Sequence, residues 1–234
     1  MRRDQNERRD GRASVTYNFN FRDVFNNFDV LLEGMWLTLQ LSAITMALGL
    51  AVGIVGAMMR TSGVRPLRWL AAAYVEVIRN TPLLVQLFIV FFGLPSLGLR
   101  LSAGQAAVIA LTVNLGAYAT EIVRAGIEAI HKSQIEAGLS LGMSRLQVFR
   151  YVVLFPALKV IYPALASQFI LLMLATSIVS LIAAKDLFHM AAYLESRTFR
   201  SFEIYLVVTG LYLALALFFR LIFAGIYRLA FARR

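Results

Sequence analysis

The chain has 234 residues, of which 59% are hydrophobic and 15% are charged. Soluble domains are roughly 45–50% apolar, so this composition indicates a membrane protein. The formal net charge is +10, but the basic residues cluster beside apolar runs and form no continuous stripe, which argues against a nucleic-acid partner. The lack of cysteine excludes disulfides and thiolate metal sites, and the sequence contains no zinc-protease, Walker A or dinucleotide-binding motif. We therefore expect no cofactor in this chain.

Residues 1–33 form a polar segment that is rich in arginine, aspartate and asparagine. This composition predicts a segment that is largely disordered. The first apolar run begins after residue 33 and far exceeds the roughly 7–15 apolar residues of a signal peptide. We therefore interpret that run as a membrane span and not as a cleaved leader.

The rest of the chain contains five apolar runs that are long enough to cross a lipid bilayer, for which a helix needs roughly 20 residues. We predict an all-α integral membrane protein with a transmembrane domain over residues 34–228. The predicted spans are about 34–59, 69–93, 103–123, 160–184 and 204–227. Basic residues follow the first span at Arg60 to Arg68 and the last span from Arg228 onward, which places the N-terminus outside and the C-terminus in the cytoplasm.

The first span contains a face of small residues. Gly49 and Gly53 form a G-x-x-x-G pattern that Ala57 continues. Such a face allows a neighbouring helix to pack closely, and we interpret it as a packing surface.

The second span begins with an unusual number of polar residues. Glu76 and Arg79 lie one helical turn apart and are expected to pair, while Pro82 is expected to kink the helix ahead of Gln86. Ionisable residues within a span mark a transport pathway by default. A structural ion pair between helices explains them equally well, and both interpretations stay open.

Polar residues also recur along the third and fourth spans. In the third, Asn114, Tyr118 and Glu121 share one helical face, with Arg124 a turn beyond Glu121. In the fourth span, polar residues separated by multiples of four positions form a polar stripe along the helix, and Ser177 lies beside this stripe. The stripe comprises Gln168, Thr176 and Ser180. Such a stripe can line a pathway or bond a neighbouring helix, and the sequence does not decide between these roles.

A polar, basic segment at residues 133–156 separates the third and fourth spans. Ser133 with Glu136 and Ser144 with Gln147 have the spacing of capping boxes, so two helices are predicted to begin at these serines. Gly142 lies between them and can adopt the left-handed conformation that turns one helix into the next. We call residues 133–156 the elbow and expect it to be cytoplasmic and to dock another protein.

The elbow resembles a signature of ABC-importer membrane subunits, E-A-A-x(3)-G-x(9)-I-x-L-P. The matching residues are Glu136, Ala137, Gly138, Gly142, Val152, Val153 and Leu154. Residues 74–86, 117–127 and 198–203 are similar to the polar amino-acid branch of this family. The chain departs from the family at Gly138, which replaces the second alanine, at Pro156, one place late, and at Leu174 and Ala175, where relatives often carry a polar pair.

The resemblance implies a type I ABC-importer fold in which the elbow is the coupling helix of a permease subunit in the bacterial inner membrane. Its implied coupling residues are Glu136, Ala137, Gly138, Gly142 and Ser144. The implied partners are a dimer of ATP-binding subunits that carries ATP and Mg²⁺, a related or identical second permease subunit, and a periplasmic or extracellular solute-binding protein that delivers a polar amino acid. Pro156 is expected to end the second elbow helix.

Two other interpretations of the sequence remain open at this stage. An autonomous secondary transporter or channel would use Glu76, Arg79, Glu121 and Arg124 as an ion or proton relay, but this does not explain the elbow. A structural scaffold would explain the small-residue packing but not the polar helical faces.

Overall fold

The computed structural model describes residues 17–231, and none of these residues lies in a strand. Nine helical elements account for most of the described chain. In chain order they are α1 (Arg22–Asn26), α2 (Phe28–Thr61), α3 (Arg65–Arg79), α4 (Leu83–Ser96), α5 (Ala103–Glu128), α6 (Lys132–Ser140), α7 (Arg145–Ile182), α8 (Leu187–Thr198) and α9 (Ser201–Phe231).

The helices confirm the prediction of an all-α membrane protein with five spans. Among the described residues, α2, α5, α7 and α9 are each long and apolar enough to cross a bilayer. Helices α3 and α4 together form a fifth span when the bent pair is counted as one. Residues 201–231 extend the last span beyond the predicted bounds at both ends.

The second span is broken where the sequence predicted a kink. Helix α3 ends at Arg79, α4 begins at Leu83, and their axes differ by 106°. Pro82 lies between them in an extended conformation, with ψ 137°. A break is expected here because proline has no backbone N–H to donate and disfavours helical geometry in the residue before it. The break turns the polar entrance of this span toward α5.

The N-terminal segment differs from the expected disorder wherever it is described. Helix α2 begins at Phe28, before residue 34, and α1 precedes it. Val24 and Leu31 are fully buried against Leu187 and Ile204, so apolar burial offsets the entropy of ordering this polar stretch. Residues 1–16 of the predicted disordered segment lie outside the described residues.

The segment between the last two spans contains a packed helix, α8. Asp186 caps α8 by accepting a hydrogen bond from the backbone N–H of His189 at 2.8 Å, and Tyr212 donates to its other oxygen at 3.2 Å. Burial raises the pKa of the Asp186 carboxyl above its usual range. Thr38 on α2 accepts from the N–H of Leu187 at 2.9 Å, which fixes the start of α8 against the first span.

The centre of the molecule is the close contact between α2 and α5. A Cβ atom placed on Gly53 would lie 2.4 Å from the Cβ of Ala119, and one on Gly49 would lie 2.6 Å from a methyl carbon of Leu115. Ala57 is fully buried in the same contact. The predicted role of the small face in helix packing is confirmed.

Substitution Gly53→Ala tests this contact. The added methyl cannot fit without separating α2 from α5, because the carbonyl carbon of Ala119 lies only 3.0 Å from its position. We expect a loss of roughly 1–3 kcal/mol of stability, measured as a lower thermal unfolding midpoint in detergent. Gly210→Ala is the matched control, since no atom lies within 4 Å of a Cβ at that helical position. An unchanged midpoint for Gly53→Ala would contradict the packing role.

Candidate functional site

The elbow turns through a glycine in the conformation that the sequence predicted. Helix α6 ends at Ser140, and Gly142 follows with φ +77°. The N–H of Met143 donates to the carbonyl of Gly138 at 3.2 Å, and the N–H of Gly142 donates to Leu139 at 3.0 Å. These two bonds form a Schellman motif, which satisfies the last carbonyls of α6 and fixes the direction in which α7 begins.

Only one of the two predicted capping boxes is present. The Ser144 hydroxyl accepts from the N–H of Gln147 at 3.3 Å, and the Gln147 side chain accepts from the N–H of Ser144 at 2.8 Å. The prediction for Ser133 is wrong because Ser133 is the second residue of α6, which begins at Lys132. His131 is the cap, and its Nδ1 accepts from the N–H of Ser133 at 3.3 Å.

The elbow has a packed inner side and an exposed outer side. Gly138 is buried, and a Cβ there would lie 3.1 Å from Val148, so its small size serves the contact between α6 and α7. Glu136 and Ala137 are exposed. Leu141 and Leu146 are more than 70% exposed, although both are large apolar residues. The exposure of these two leucines was not predicted from the sequence. Their position on either side of the turn at Gly142 was the signal that could have indicated it.

The second arm of the elbow is continuous with the fourth span. Pro156 was expected to end it, but the helix passes through as a π-helical stretch at Val148–Leu154 followed by an α-helix at Phe155–Ala175. The wider π turns precede the proline and change the hydrogen-bond pattern at the point where its missing N–H would interrupt an α-helix. Helix α7 therefore runs without interruption from the elbow to Ile182.

Glu121 lies between two arginines near the elbow end of α5. Arg124 donates to it through Nη2 at 2.7 Å, and Nε of Arg60 on α2 lies 3.3 Å from its other oxygen. Arg124 also pairs with Glu128. The carboxylate is thus fixed by charges from two helices, and this cluster keeps the ends of α2 and α5 in register.

The predicted ion pair between Glu76 and Arg79 is not formed. Glu76 accepts from the Asn80 side chain at 3.0 Å, and the Arg79 guanidinium lies 5.2 Å from the centre of the Tyr118 ring. The prediction is wrong because the aromatic face supplied by α5 attracts the arginine. Arg79 makes no salt bridge with any residue in the described range 17–231.

Arg79, Tyr118, Glu121 and Gln168 line a common cavity of about 490 Å³ between α3, α5 and α7. These residues come from three of the predicted spans. Arg124 also lines it, and its remaining walls are apolar, so the polar groups are few. A cavity of this size with a small number of placed charges is typical of a small-molecule site.

Gln86 and Asn114 do not line the cavity and instead join segments of the chain. The Gln86 amide donates to the carbonyl of Ile78 at 2.7 Å and to Thr81, and its oxygen accepts from Asn114 at 3.0 Å. Gln86 is buried. It therefore bridges the break between α3 and α4 and joins that break to α5.

Thr176 and Ser177 lie far along α7 from the cavity. Thr176 is fully buried and donates to the carbonyl of Met173 at 2.7 Å, while Ser177 donates to Leu174 at 2.9 Å. Both belong to a 3₁₀ segment at Thr176–Ile182. Of the predicted polar stripe, only Gln168 lines the cavity.

Substitution Gln86→Leu tests whether Gln86 braces the helix break. It would leave the carbonyls at the end of α3 and the Asn114 amide without their partner, which costs about 1–3 kcal/mol for a buried group. We expect faster amide hydrogen exchange in residues 78–86 and a lower unfolding midpoint. Gln40→Leu is the control, because Gln40 is an exposed glutamine on α2. Equal exchange rates in the two variants would contradict the bracing role.

The comparisons with known proteins agree with the architecture. The chain is 39% identical over 194 residues to the probable glutamine ABC transporter permease protein GlnM of Bacillus subtilis, an alignment that covers 83% of this chain and 90% of that protein. It is 35% identical over 201 residues to the glutamine transport system permease protein GlnP of Escherichia coli, which covers 85% of this chain and 92% of GlnP.

Two solved structures share the fold. The crystal structure of an amino acid ABC transporter with histidines matches with a TM-score of 0.85 and 36% identity, covering 91% of this chain and 99% of that one. An inward-facing structure of the MetNI methionine ABC transporter matches with a TM-score of 0.71 at 22% identity, over 86% of this chain and 96% of that one, which supports the fold alone. Residues 31–231 match the model of one protein family. The chain belongs to the family of binding-protein-dependent transport system inner membrane components.

Proposed function

We propose that this chain is the membrane-spanning permease subunit of an ATP-driven importer of polar amino acids. The observation that carries the proposal is the elbow, a rigid and exposed turn continuous with a membrane span. The amino-acid permeases among its relatives support the substrate class. Since the sequence has no nucleotide-binding motif, ATP and Mg²⁺ belong to a separate ATP-binding subunit.

The elbow is suited to dock into a groove of that ATP-binding subunit. Leu141 and Leu146 present apolar side chains that are exposed in this chain, and Glu136 presents a carboxylate beside them. An interface core of apolar anchors with a charged rim is the usual arrangement in stable complexes. Because Ser144 caps the helix that continues into the fourth span, movement of the docked subunit would tilt that span.

The cavity is suited to the carboxylate of an amino acid. Arg79 is its one arginine without a salt bridge to the described residues, whereas Glu121 is already held by Arg60 and Arg124. The excess positive charge favours an anionic group on the substrate, and the Gln168 amide supplies both a donor and an acceptor for its polar side chain. Arg79 lies at the break in the second span, where the helix end is open to the cavity.

The remaining partners follow from this assignment. Five spans enclose too little space for a gated pathway, so a second permease subunit, identical or related, would complete it around a twofold axis. A solute-binding protein would deliver the amino acid to the end of the bundle opposite the elbow. This arrangement places the elbow and the C-terminus in the cytoplasm and the N-terminus outside, in agreement with the basic residues that follow α2 and end α9.

Variants of the elbow test the coupling role. Gly142→Val places a β-branched residue at φ +77°, with a strain of about 1–3 kcal/mol, and Glu136→Lys reverses the exposed charge. Each variant should reduce retention of the ATP-binding subunit on the purified permease, or its stimulation by loaded solute-binding protein in liposomes. Gly142→Asn is the control, because asparagine tolerates the left-handed conformation. Normal coupling in both variants would refute the docking role and favour an autonomous transporter.

Removal of the unpaired charge tests the substrate site. Arg79→Gln should weaken uptake of the transported amino acid by about 10–100-fold in apparent affinity, the equivalent of a lost hydrogen bond to a charged group. Arg79→Lys should restore part of it, since lysine keeps the charge but not the planar fork. Arg65→Gln is the control, because Arg65 is an exposed arginine at the start of the same helix. Unchanged apparent affinity in Arg79→Gln would exclude Arg79 from the site.

A further inference from the structure

Phe199 has a backbone conformation that is unusual for a large side chain. It connects α8 to α9 with φ 55° and ψ 29°, in the left-handed region. Among the described residues, Ala183 is the one other non-glycine residue with positive φ. Glycine or asparagine adopts this conformation at much lower cost than an aromatic residue, so the local geometry alone does not favour phenylalanine here.

Burial does not offset this cost within the chain. The Phe199 side chain is 84% exposed, the largest exposed fraction among the large apolar residues of the described range. Removing it would therefore expose almost no further apolar surface of the folded chain. Backbone strain of this kind clusters at functional sites, where the surrounding structure holds it in place.

The connection that carries Phe199 is held rigidly. Its N–H donates to the carbonyl of Glu195 at 2.8 Å, and the Glu195 side chain accepts from Ser201 at 2.8 Å. Glu203, which is fully buried, accepts hydrogen bonds from Tyr17 and from the N–H of Asn20. The N-terminal segment thus fixes the first turn of α9, and the backbone that carries the Phe199 ring is held in place before any partner binds.

Phe199 lies at the end of the molecule opposite the elbow. Helix α9 is 31 residues long, about 46 Å at the helical rise, and its last residue, Phe231, contacts Phe155 in the elbow. This length exceeds the roughly 30 Å hydrocarbon core of a bilayer. The charged residues Arg200 and Glu203 separate Phe199 from the apolar part of α9. We therefore expect Phe199 to lie at or beyond the bilayer surface and not within the hydrocarbon core.

We propose that Phe199 is an anchor for the solute-binding protein, inserting its ring into an apolar pocket of that protein with an acidic rim. Arg197, two residues before Phe199, is exposed, donates to the Tyr193 hydroxyl at 2.6 Å and has no salt bridge to any described residue, so its charge suits an acidic group on the partner. Aromatic residues and arginine are enriched at protein interfaces, and a backbone that is already ordered lowers the entropy lost on binding. This inference rests on the proposed function.

The test uses the permease assembled with its ATP-binding subunit in liposomes, titrated with its amino-acid-loaded solute-binding protein while ATP hydrolysis is measured. Phe199→Gly removes the ring and relieves the backbone. We expect the half-saturating concentration of solute-binding protein to rise about tenfold, as for the loss of an interface hot spot, without a lower thermal unfolding midpoint. Phe199→Tyr keeps the ring and should titrate like the wild type.

Ala183→Gly is the matched control, because it relieves the same backbone strain without removing an aromatic ring and should leave the titration unchanged. An unchanged half-saturating concentration for Phe199→Gly, or a lower unfolding midpoint in this variant, would overturn the anchor. Absence of stimulation in the wild-type complex would instead refute the proposed function. In intact cells, the cysteine of Phe199→Cys should react with an impermeant thiol reagent while that of Ser140→Cys should not. The reverse pattern would place Phe199 on the wrong side of the membrane.

Discussion

The close approach of α2 and α5 is the constraint on which the rest of the structure depends. Its glycines allow the two helices to meet with almost no side chain between them, and each contact fixes the register of the next. Gly56 lies against Thr120, and one turn further Arg60 reaches Glu121. A slip of one residue at the glycine contact would move Arg60 away from the carboxylate. The charged cluster near the elbow is therefore a consequence of small-residue packing in the apolar part of the bundle.

The position of Arg79 in the cavity depends on the break in the second span at Pro82. In a continuous second span, Arg79 would lie in the middle of a helix. The break instead places it at the end of α3, where its guanidinium faces the Tyr118 ring. Gln86 satisfies the carbonyls that the break exposes, so the opening carries little cost in unmade hydrogen bonds. The same polar stretch therefore contains residues with two roles, a brace within the chain and a charge left available to a ligand.

The sequence predicted those features that depend on local pattern. Apolar run length was sufficient for the spans, and Ser144, Gln147 and Gly142 have the local chemistry of a cap and a turn. Features decided by a distant helix were not predictable. Arg79 pairs with Tyr118 because α5 brings an aromatic ring to it.

Two further features that the sequence did not predict are the cap of α6 and the ordered structure before residue 34. His131 and Ser133 both offer acceptors, and the earlier one, His131, caps the helix, a choice that spacing alone does not reveal. The order of the segment before residue 34 depends on burial of Val24 and Leu31 against α8 and α9. The exposure of Leu141 and Phe199 is likewise a property of the assembled chain, since an apolar residue in a sequence carries no mark of being left uncovered.

Helix α7 connects the elbow, the cavity and the segment that carries Phe199. It begins at the Ser144 cap, contributes Gln168 to the cavity at its middle, and ends in the 3₁₀ segment before Asp186, the cap of α8. A continuous helix transmits displacement along its length, because its backbone hydrogen bonds resist bending outside identifiable weak points. The weak points of α7 are its π turns near Pro156, the internal Pro163 beside the cavity, and its 3₁₀ end. Movement imposed at either end of α7 would therefore tilt the segment that carries Gln168 and change the shape of the cavity. Partners that bind at the two ends of α7 would not need to contact each other for this to happen.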